Sequence, residues 1–175
     1  MSDRHDVHTY RTSLAWEGTT GRGYKHYDRT HRVEAEPADD ALSLTSDPAF
    51  LGDPARWNPE QLLVAAASSC QMLSFLAVAA AARLDVVRYD DTTDAVMPED
   101  DKPVRITRID IHARIVLADT GADRPTDERL AHLAEVAHRE CFIANSLATE
   151  VVVHPTFTWQ VPAPGETAAD APGPG

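Results

Sequence analysis

The 175-residue sequence has few basic residues for its acidic content. Lys and Arg number 16 against 28 Asp and Glu, which gives a formal net charge of −12. A chain of this charge repels phosphate backbones and anionic lipid surfaces, and no basic stripe along the sequence offsets the repulsion. The composition therefore argues against nucleic acid and against a membrane surface as partners.

Targeting segments and long uninterrupted apolar runs are also lacking. Residues 1–6 are polar and charged, so no signal peptide is readable and we expect a cytoplasmic protein. The most apolar stretch, residues 62–84, contains serine, glutamine and arginine side chains, which argues against a membrane span. In a reducing compartment, the two cysteines of the chain are poor candidates for a structural disulfide.

The length suits one domain with a substantial core. We expect a flexible N-terminus at residues 1–7, a folded domain at 8–161 and a disordered tail at 162–175, where proline, glycine and alanine dominate. Strand-like segments are grouped before and after a long helix instead of alternating with helices, which predicts an α+β fold.

The best-defined element begins at Asn58, a helix-capping residue followed by Pro59 and Glu60. The helix is predicted to continue to about Leu84, and a second helix begins at Thr126 and ends near Cys141. A change of apolar phase predicts a bulge or a bend near residues 107–108, Asn145 is expected to cap a short helix, and Pro155 marks an edge or a bulge in the last strand. The predicted strands cover residues 8–17, 31–36, 41–45, 85–93, 104–117 and 151–161.

Cys70 and Cys141 are the candidate chemical groups. Each is ambiguous alone, because a cysteine in a helical, small-residue context is most often a small buried hydrophobe. Glu60 lies ten positions before Cys70 on the same helix, about 15 Å away by helical rise, so it can act on the thiol only by orienting a cation. Arg29 and Arg32, in the glycine-containing loop before the helix, are candidates for that cation.

Other chemistries have less support in the sequence. His138 and Cys141 have a spacing that two ligands of one cation can share, but CxxC and HExxH are absent, so no metal site is expected. A Cys-His-Asp hydrolase is also disfavoured, because GxSxG is absent and His138 has no recognisable orienting partner.

Two segments resemble the OsmC/Ohr family of thiol peroxidases. They are Asn58-Pro59-Glu60-Gln61-Leu62-Leu63 with Ala67-Ser68-Ser69-Cys70 after it, and residues 137–146 (AHRECFIANS). The resemblance extends over roughly residues 8–161. It implies an intertwined homodimer in which two β-sheets wrap around long central helices, with an active site at each subunit interface.

The resemblance also implies roles for individual residues. Cys70 matches the peroxidatic cysteine, Cys141 the resolving cysteine, and Glu60 the acid that pairs with the active-site arginine. We expect that arginine to be Arg29, with Arg32 and Arg22 as the alternatives. Two departures from the family pattern favour an OsmC-like branch over a strict Ohr enzyme, because Gln71 follows the first cysteine and Phe142 follows the second.

The implied activity is the reduction of organic hydroperoxides to alcohols through a Cys70 sulfenic acid and a Cys70–Cys141 disulfide. Hydrogen peroxide, which would be reduced to water, is a second candidate substrate. No bound cofactor is expected, and an external dithiol of lipoyl type, small or protein-bound, would regenerate the enzyme. The substrate pocket is expected to involve Gln71, Met72, Phe75 and Phe142. The alternative is a non-catalytic protein of the same fold that binds a small ligand or senses redox state.

Overall fold

The computed structural model describes residues 7–119, 121 and 124–160, and the chain divides after Leu63 into two compact units. The predicted tail at 162–175, and all but the last residue of the predicted N-terminal segment at 1–7, lie outside the described residues. The elements are β1 (Ser13–Ala15), β2 (His31–Glu34), β3 (Leu42–Leu44), α1 (Pro59–Ala81), β4 (Val86–Val96), β5 (Arg108–Ala118), α2 (Asp127–Arg139), α3 (Phe142–Ser146) and β6 (Glu150–Gln160).

The first unit contains a small antiparallel meander with the order β1-β2-β3. A loop after β3 is closed by the Thr45 amide, which donates to the Trp57 carbonyl at 3.0 Å. Within this loop, a Cβ atom on Gly52 would lie 1.6 Å from the Ser46 carbonyl oxygen. Only glycine therefore fits where the loop folds back on itself.

The start of α1 has the capping geometry that the sequence predicts. The Gln61 amide donates to Asn58 Oδ1 at 2.8 Å, and the Asn58 amide donates to Gln61 Oε1 at 3.1 Å. This reciprocal pair satisfies two backbone donors at the helix terminus. The helix ends at Ala81, earlier than predicted, and Arg83 just beyond it adopts a left-handed φ of 58°.

Helix α1 is apolar along most of its length. By length and composition it passes the test for a membrane span, with a mean hydropathy of 1.9, so the polar residues within it interrupt the run less than the sequence argument assumed. Core helices of soluble proteins pass the same test. Its buried positions, Ala67, Gln71, Phe75 and Ala79, recur every four residues and form a single stripe.

The second unit contains a sheet with the order β4-β5-β6. β4 and β5 are antiparallel, whereas β5 and β6 are parallel and are joined by a crossover through α2 and α3. Alternate β5 residues from Ile109 to Leu117 are buried, as their shared parity predicts. The core joins three elements around Phe75 of α1, Ile115 of β5 and Leu130 of α2. Together with the meander, this arrangement confirms the α+β prediction.

Three local details complete the comparison with the sequence. Pro155 lies in β6, which pairs only with β5 in the described sheet and is therefore an edge strand, as proline requires. Of the bulge or bend predicted near residues 107–108, the bulge is absent from the described ladder, because β5 begins at Arg108; the register shift lies in β4, between Val86 and Arg88. Asn145 was expected to cap the short helix α3 but lies inside it. The capping position is occupied by Cys141.

Candidate functional site

The crossover brings together the two cysteines, which are 71 positions apart in the sequence. Cys70 lies on α1, and Cys141 immediately precedes α3. The backbone amide of Ile143 donates to Cys70 Sγ at 3.4 Å, and Ser74 Oγ donates to the Glu140 carbonyl at 3.5 Å. The segment that carries Cys141 is therefore attached to α1 on both sides of the cysteine. Both thiols are free.

The two thiols have different environments. Cys141 is fully buried, whereas Cys70 is half-buried. Burial raises the pKa of the Cys141 thiol above its ordinary value, and the neighbouring Cys70 thiol raises this pKa further, while the Ala144 and Ile143 amides oppose the shift. At Cys70, the Ile143 amide supplies a donor to the sulfur, which is favourable to negative charge on it. The pair thus consists of one accessible sulfur and one protected, protonated sulfur.

An apolar groove of about 480 Å³ begins at Cys70 and runs along α1. Its lining includes Cys70, Leu73, Ala77, Ala81, Glu140 and Phe142. Of the four predicted pocket residues, Phe142 lines this groove and is 78% exposed. Gln71 and Phe75 instead lie on the buried stripe of α1, and Met72 is half-buried outside the groove lining. These three positions occupy other faces of the helix, because a groove along one side receives only residues spaced by three or four.

Arg29 lies in the first unit in an aromatic setting. Its guanidinium is 4.0 Å from the centroid of the Tyr27 ring and 4.8 Å from that of Tyr24, and it donates to the carbonyls of both residues at 2.9 and 2.6 Å. The arginine lines a groove of about 370 Å³ together with Trp16 and His31. Two of its five N–H donors are used in these bonds, so the guanidinium keeps donors for another group.

The other two candidate arginines are placed differently. Arg32 forms an exposed ion pair with Glu34, with Nη2 and Oε1 2.6 Å apart, and Arg22 is exposed. Glu60 Oε2 is buried and has no hydrogen-bond partner, and no ion pair joins Glu60 to Arg29 among the described residues. The structure thus does not show the predicted carboxylate–guanidinium pair formed within this unit.

Sequence reasoning passed over a second group of polar residues, which connects α1 to β4. Ser68 Oγ and Thr93 Oγ1 both donate to the Asp91 carboxylate, each at 2.9 Å. Tyr89 lies two residues before Asp91 on the same face of β4, and its hydroxyl is buried without a hydrogen-bond partner among the described residues. The only available sequence signal was the alternation of polar and aromatic residues along β4, which is also typical of an ordinary half-buried strand.

No set of three or more His, Cys, Asp or Glu side chains is arranged to hold a metal ion within residues 7–119, 121 and 124–160. His138, the residue weighed as a partner of Cys141 in a metal site, has a buried Nδ1 atom that no described residue hydrogen-bonds.

Comparison with known proteins places this arrangement in a family. The sequence profile of OsmC-like proteins matches residues 52–156, which include Glu60 and both cysteines. The chain belongs to the OsmC-like family. The matched region contains the whole of α1, β4 and β5 and the first part of β6, whereas the segment around Arg29 precedes it.

Solved structures of OsmC-like proteins share the fold. An OsmC-like protein of unknown function from Vibrio cholerae is 29% identical, with a TM-score of 0.76 over 86% of this chain and 100% of that one. An organic hydroperoxide resistance protein OsmC from Legionella pneumophila is 18% identical, with a TM-score of 0.62 over 87% of this chain and 98% of that one. An organic hydroperoxide resistance protein from Elizabethkingia anophelis, also 18% identical, has a TM-score of 0.63 over 89% of this chain and 99% of that one. No protein of curated function matches the chain.

Proposed function

We propose that this OsmC-like protein is a thiol-dependent peroxidase that reduces organic hydroperoxides to alcohols. The observation that carries the proposal is the pairing of an accessible thiol with a protected one. Cys70 opens onto an apolar groove and receives the Ile143 amide at 3.4 Å, while Cys141 is buried beside it. Two solved structures of this fold are of organic hydroperoxide resistance proteins, which agrees with the proposal.

In the first step, the Cys70 thiolate attacks the terminal oxygen of the hydroperoxide. The S–O bond forms as the O–O bond breaks, and the alkoxide leaves with the electron pair and takes a proton to become the alcohol. Sulfur is oxidised to the sulfenic acid while the peroxide is reduced. An amide donor at the sulfur favours the thiolate that this step needs.

In the second step, Cys141 condenses with the sulfenic acid to form a disulfide and water. Its burial keeps Cys141 away from peroxide, so Cys70 is the sulfur that is oxidised first. An external dithiol, of the lipoyl type that the family resemblance implies, then reduces the disulfide by exchange. The cycle needs no bound cofactor.

We assign the stabilising cation to Arg29 and the acid that holds it to Glu60. Arg29 keeps free N–H donors beside an apolar groove, whereas Arg32 is engaged by Glu34. Glu60 carries a buried carboxylate oxygen without a partner in the described part of the chain, and such an oxygen is stable only when a cation or donor reaches it.

We further propose that the protein acts as a cytoplasmic homodimer. Within the single chain, only 22% of the most apolar 18-residue stretch of α1 is buried, although this helix is apolar along most of its length. A second copy would cover that surface. Completion of the Glu60–Arg29 pair on dimer formation would explain why it is absent from one chain.

Steady-state turnover tests the proposed function. With cumene hydroperoxide and dihydrolipoamide, the native protein should consume many equivalents of peroxide per subunit, and Ser69→Ala should retain this activity because Ser69 is an exposed neighbour of Cys70. Consumption of a single equivalent that stops despite fresh dithiol would instead indicate a redox sensor. Saturable binding of the peroxide without any thiol oxidation would indicate the ligand-binding alternative.

A further inference from the structure

The turn between α2 and α3 carries Cys141 at the junction of two helices. Glu140 and Cys141 separate Arg139, the last residue of α2, from Phe142, the first residue of α3. Cys141 has extended backbone angles, with a φ of −75° and a ψ of 104°. The backbone torsions of these two residues therefore set the direction in which α3 leaves α2, and with it the position of every group at the start of α3.

Backbone hydrogen bonds secure the two sides of this turn separately. On the α2 side, the Cys141 amide donates to the His138 carbonyl at 3.2 Å. On the α3 side, the Asn145 amide donates to the Cys141 carbonyl at 3.0 Å. Neither of the rings that these two bonds close contains the N–Cα or the Cα–C bond of Cys141. Rotation about those two bonds is therefore not restrained by either hydrogen bond.

The side chain of Asn145 closes the turn across the cysteine. Its Nδ2 atom donates to the Arg139 carbonyl at 2.9 Å, a bond that joins the last residue of α2 to α3. The ring closed by this bond contains both torsions of Cys141, so the bond restrains the direction of α3. The side chain thus satisfies a terminal carbonyl of α2 instead of capping the start of α3.

The direction of α3 decides how the turn meets Cys70. After the resolving cysteine, the Ile143 amide donates to Cys70 Sγ at 3.4 Å, and before it, Ser74 Oγ donates to the Glu140 carbonyl at 3.5 Å. The bond from Ser74 is long and therefore weak. The bond from Asn145, at 2.9 Å, has an ordinary length, so this side chain contributes more to the alignment of the turn.

We propose that Asn145 is a positioning residue for the cysteine pair, which holds the Ile143 amide on the Cys70 sulfur and Cys141 beside that sulfur. The assignment rests on the proposed peroxidase function. In the first half-reaction, the positioned amide favours the Cys70 thiolate. Asn145 acts through the backbone of the turn and takes no part in the bond changes itself.

The second half-reaction depends more strongly on this placement. Cys141 loses its proton, and its thiolate attacks the sulfur of the Cys70 sulfenic acid. The S–S bond forms, the S–O bond breaks, and hydroxide leaves with the electron pair and takes up the proton to give water. A misplacement of reacting atoms by about 1 Å can cost about 100-fold in rate, so a turn that is free to rotate at Cys141 should form the disulfide slowly.

Asn145→Ala removes the bond across the cysteine, and Ser146→Ala is the matched control. Ser146 is exposed like Asn145, and its Oγ donates to the Phe142 carbonyl at 2.7 Å, a bond that lies within α3. After one equivalent of cumene hydroperoxide, rapid quenching with an alkylating agent and mass analysis measure disulfide formation. Asn145→Ala should consume one equivalent of peroxide per subunit but form the disulfide at least tenfold more slowly than the native protein. Ser146→Ala should form it at the native rate.

A second measurement needs no peroxide and separates positioning from stability. The pH dependence of Cys70 alkylation in the reduced protein, located by peptide mass analysis, should move to higher pH in Asn145→Ala, because the Ile143 amide no longer favours the thiolate. The profile of Ser146→Ala should match that of the native protein. A lower urea midpoint for Asn145→Ala together with a native alkylation profile would assign the bond to stability alone and overturn the proposal.

The isosteric variant Asn145→Asp provides a further check. It keeps the shape of the side chain but replaces the donor with an acceptor, so it should slow disulfide formation as Asn145→Ala does. Native disulfide formation in both Asn145 variants, or equal slowing in Ser146→Ala, would overturn the positioning role and leave the peroxidase intact. Absence of peroxide loss in the native protein would instead overturn the proposed function, and the alkylation profile would still test the placement of the Ile143 amide by Asn145.

Discussion

Oxidation of the cysteine pair should stabilise the protein strongly. A Cys70–Cys141 disulfide closes a loop of about 70 residues, and restriction of the unfolded chain by a loop of this length is worth about 4 kcal/mol. The native state should oppose this gain only slightly, since Ile143 and Glu140 already hold the Cys141 segment against α1 through hydrogen bonds of 3.4 and 3.5 Å. Most of the loop-closure stabilisation should therefore appear in the measured free energy of unfolding.

The assay is urea denaturation of the reduced and the oxidised protein at one protein concentration, because a dimer would make the midpoint depend on concentration. For a urea m-value of about 2 kcal/mol/M, the midpoint should rise by about 2 M on oxidation. Thiol titration before unfolding confirms that the disulfide has formed. Cys70→Ser and Cys141→Ser, treated with the same peroxide, should show no such rise.

A disulfide that forms but raises the midpoint by less than about a quarter of this amount would refute the reasoning. It would mean that the bond distorts the native state, and therefore that the two cysteines are not prearranged for it. A lower midpoint after oxidation would contradict the geometry more strongly.

Three further predictions follow from burial and steric fit. Because burial holds the pKa of Cys141 above its ordinary 9.0, the stability that this thiol contributes should be complete below pH 9.0 and decline above it as the unfolded chain loses the proton. Urea titrations of the reduced protein at increasing pH should show a smaller decline in the free energy of unfolding for Cys141→Ala. An equal decline in both proteins would exclude Cys141 as the cause. Phe75→Ala should lower the free energy of unfolding by about 3–5 kcal/mol because Phe75 is buried in the core. Phe142→Ala should change it by less than about 0.5 kcal/mol because Phe142 is exposed. Similar losses for the two variants would contradict the assignment of Phe75 to the core and Phe142 to the groove. Gly52→Ala should destabilise the protein by about 1–3 kcal/mol because its Cβ would overlap the Ser46 carbonyl, and an unchanged thermal midpoint would show that the loop adapts freely.

Local signals in the sequence predict much of the fold. The cap at Asn58 places the start of α1, the parity of the β5 residues identifies its buried face, and Pro155 identifies an edge strand. Each of these depends on neighbouring residues alone. The parallel pairing of β5 with β6 escaped prediction, because it depends on how the crossover through α2 and α3 packs against the sheet.

The site depends on contacts between distant segments, so it is less accessible to sequence reasoning. Neither the position of Cys70 nor that of Cys141 predicts their proximity, and only the family resemblance indicated it. Residues predicted from apolar character alone were divided between groove and core, as Phe142 and Phe75 show. In the sequence, Tyr89 resembles any half-buried strand residue; only the structure shows that its hydroxyl has no partner within the described residues.

The central claim is that Cys70 attacks the peroxide and Cys141 resolves the product. Single-turnover peroxide consumption by two serine variants tests it most directly. Cys141→Ser should consume one equivalent of cumene hydroperoxide per subunit at the native rate, and excess peroxide should carry its Cys70 on to the sulfinic acid; Cys70→Ser should consume none. Peroxide consumption by Cys70→Ser at the native rate, or none by Cys141→Ser, would contradict the account.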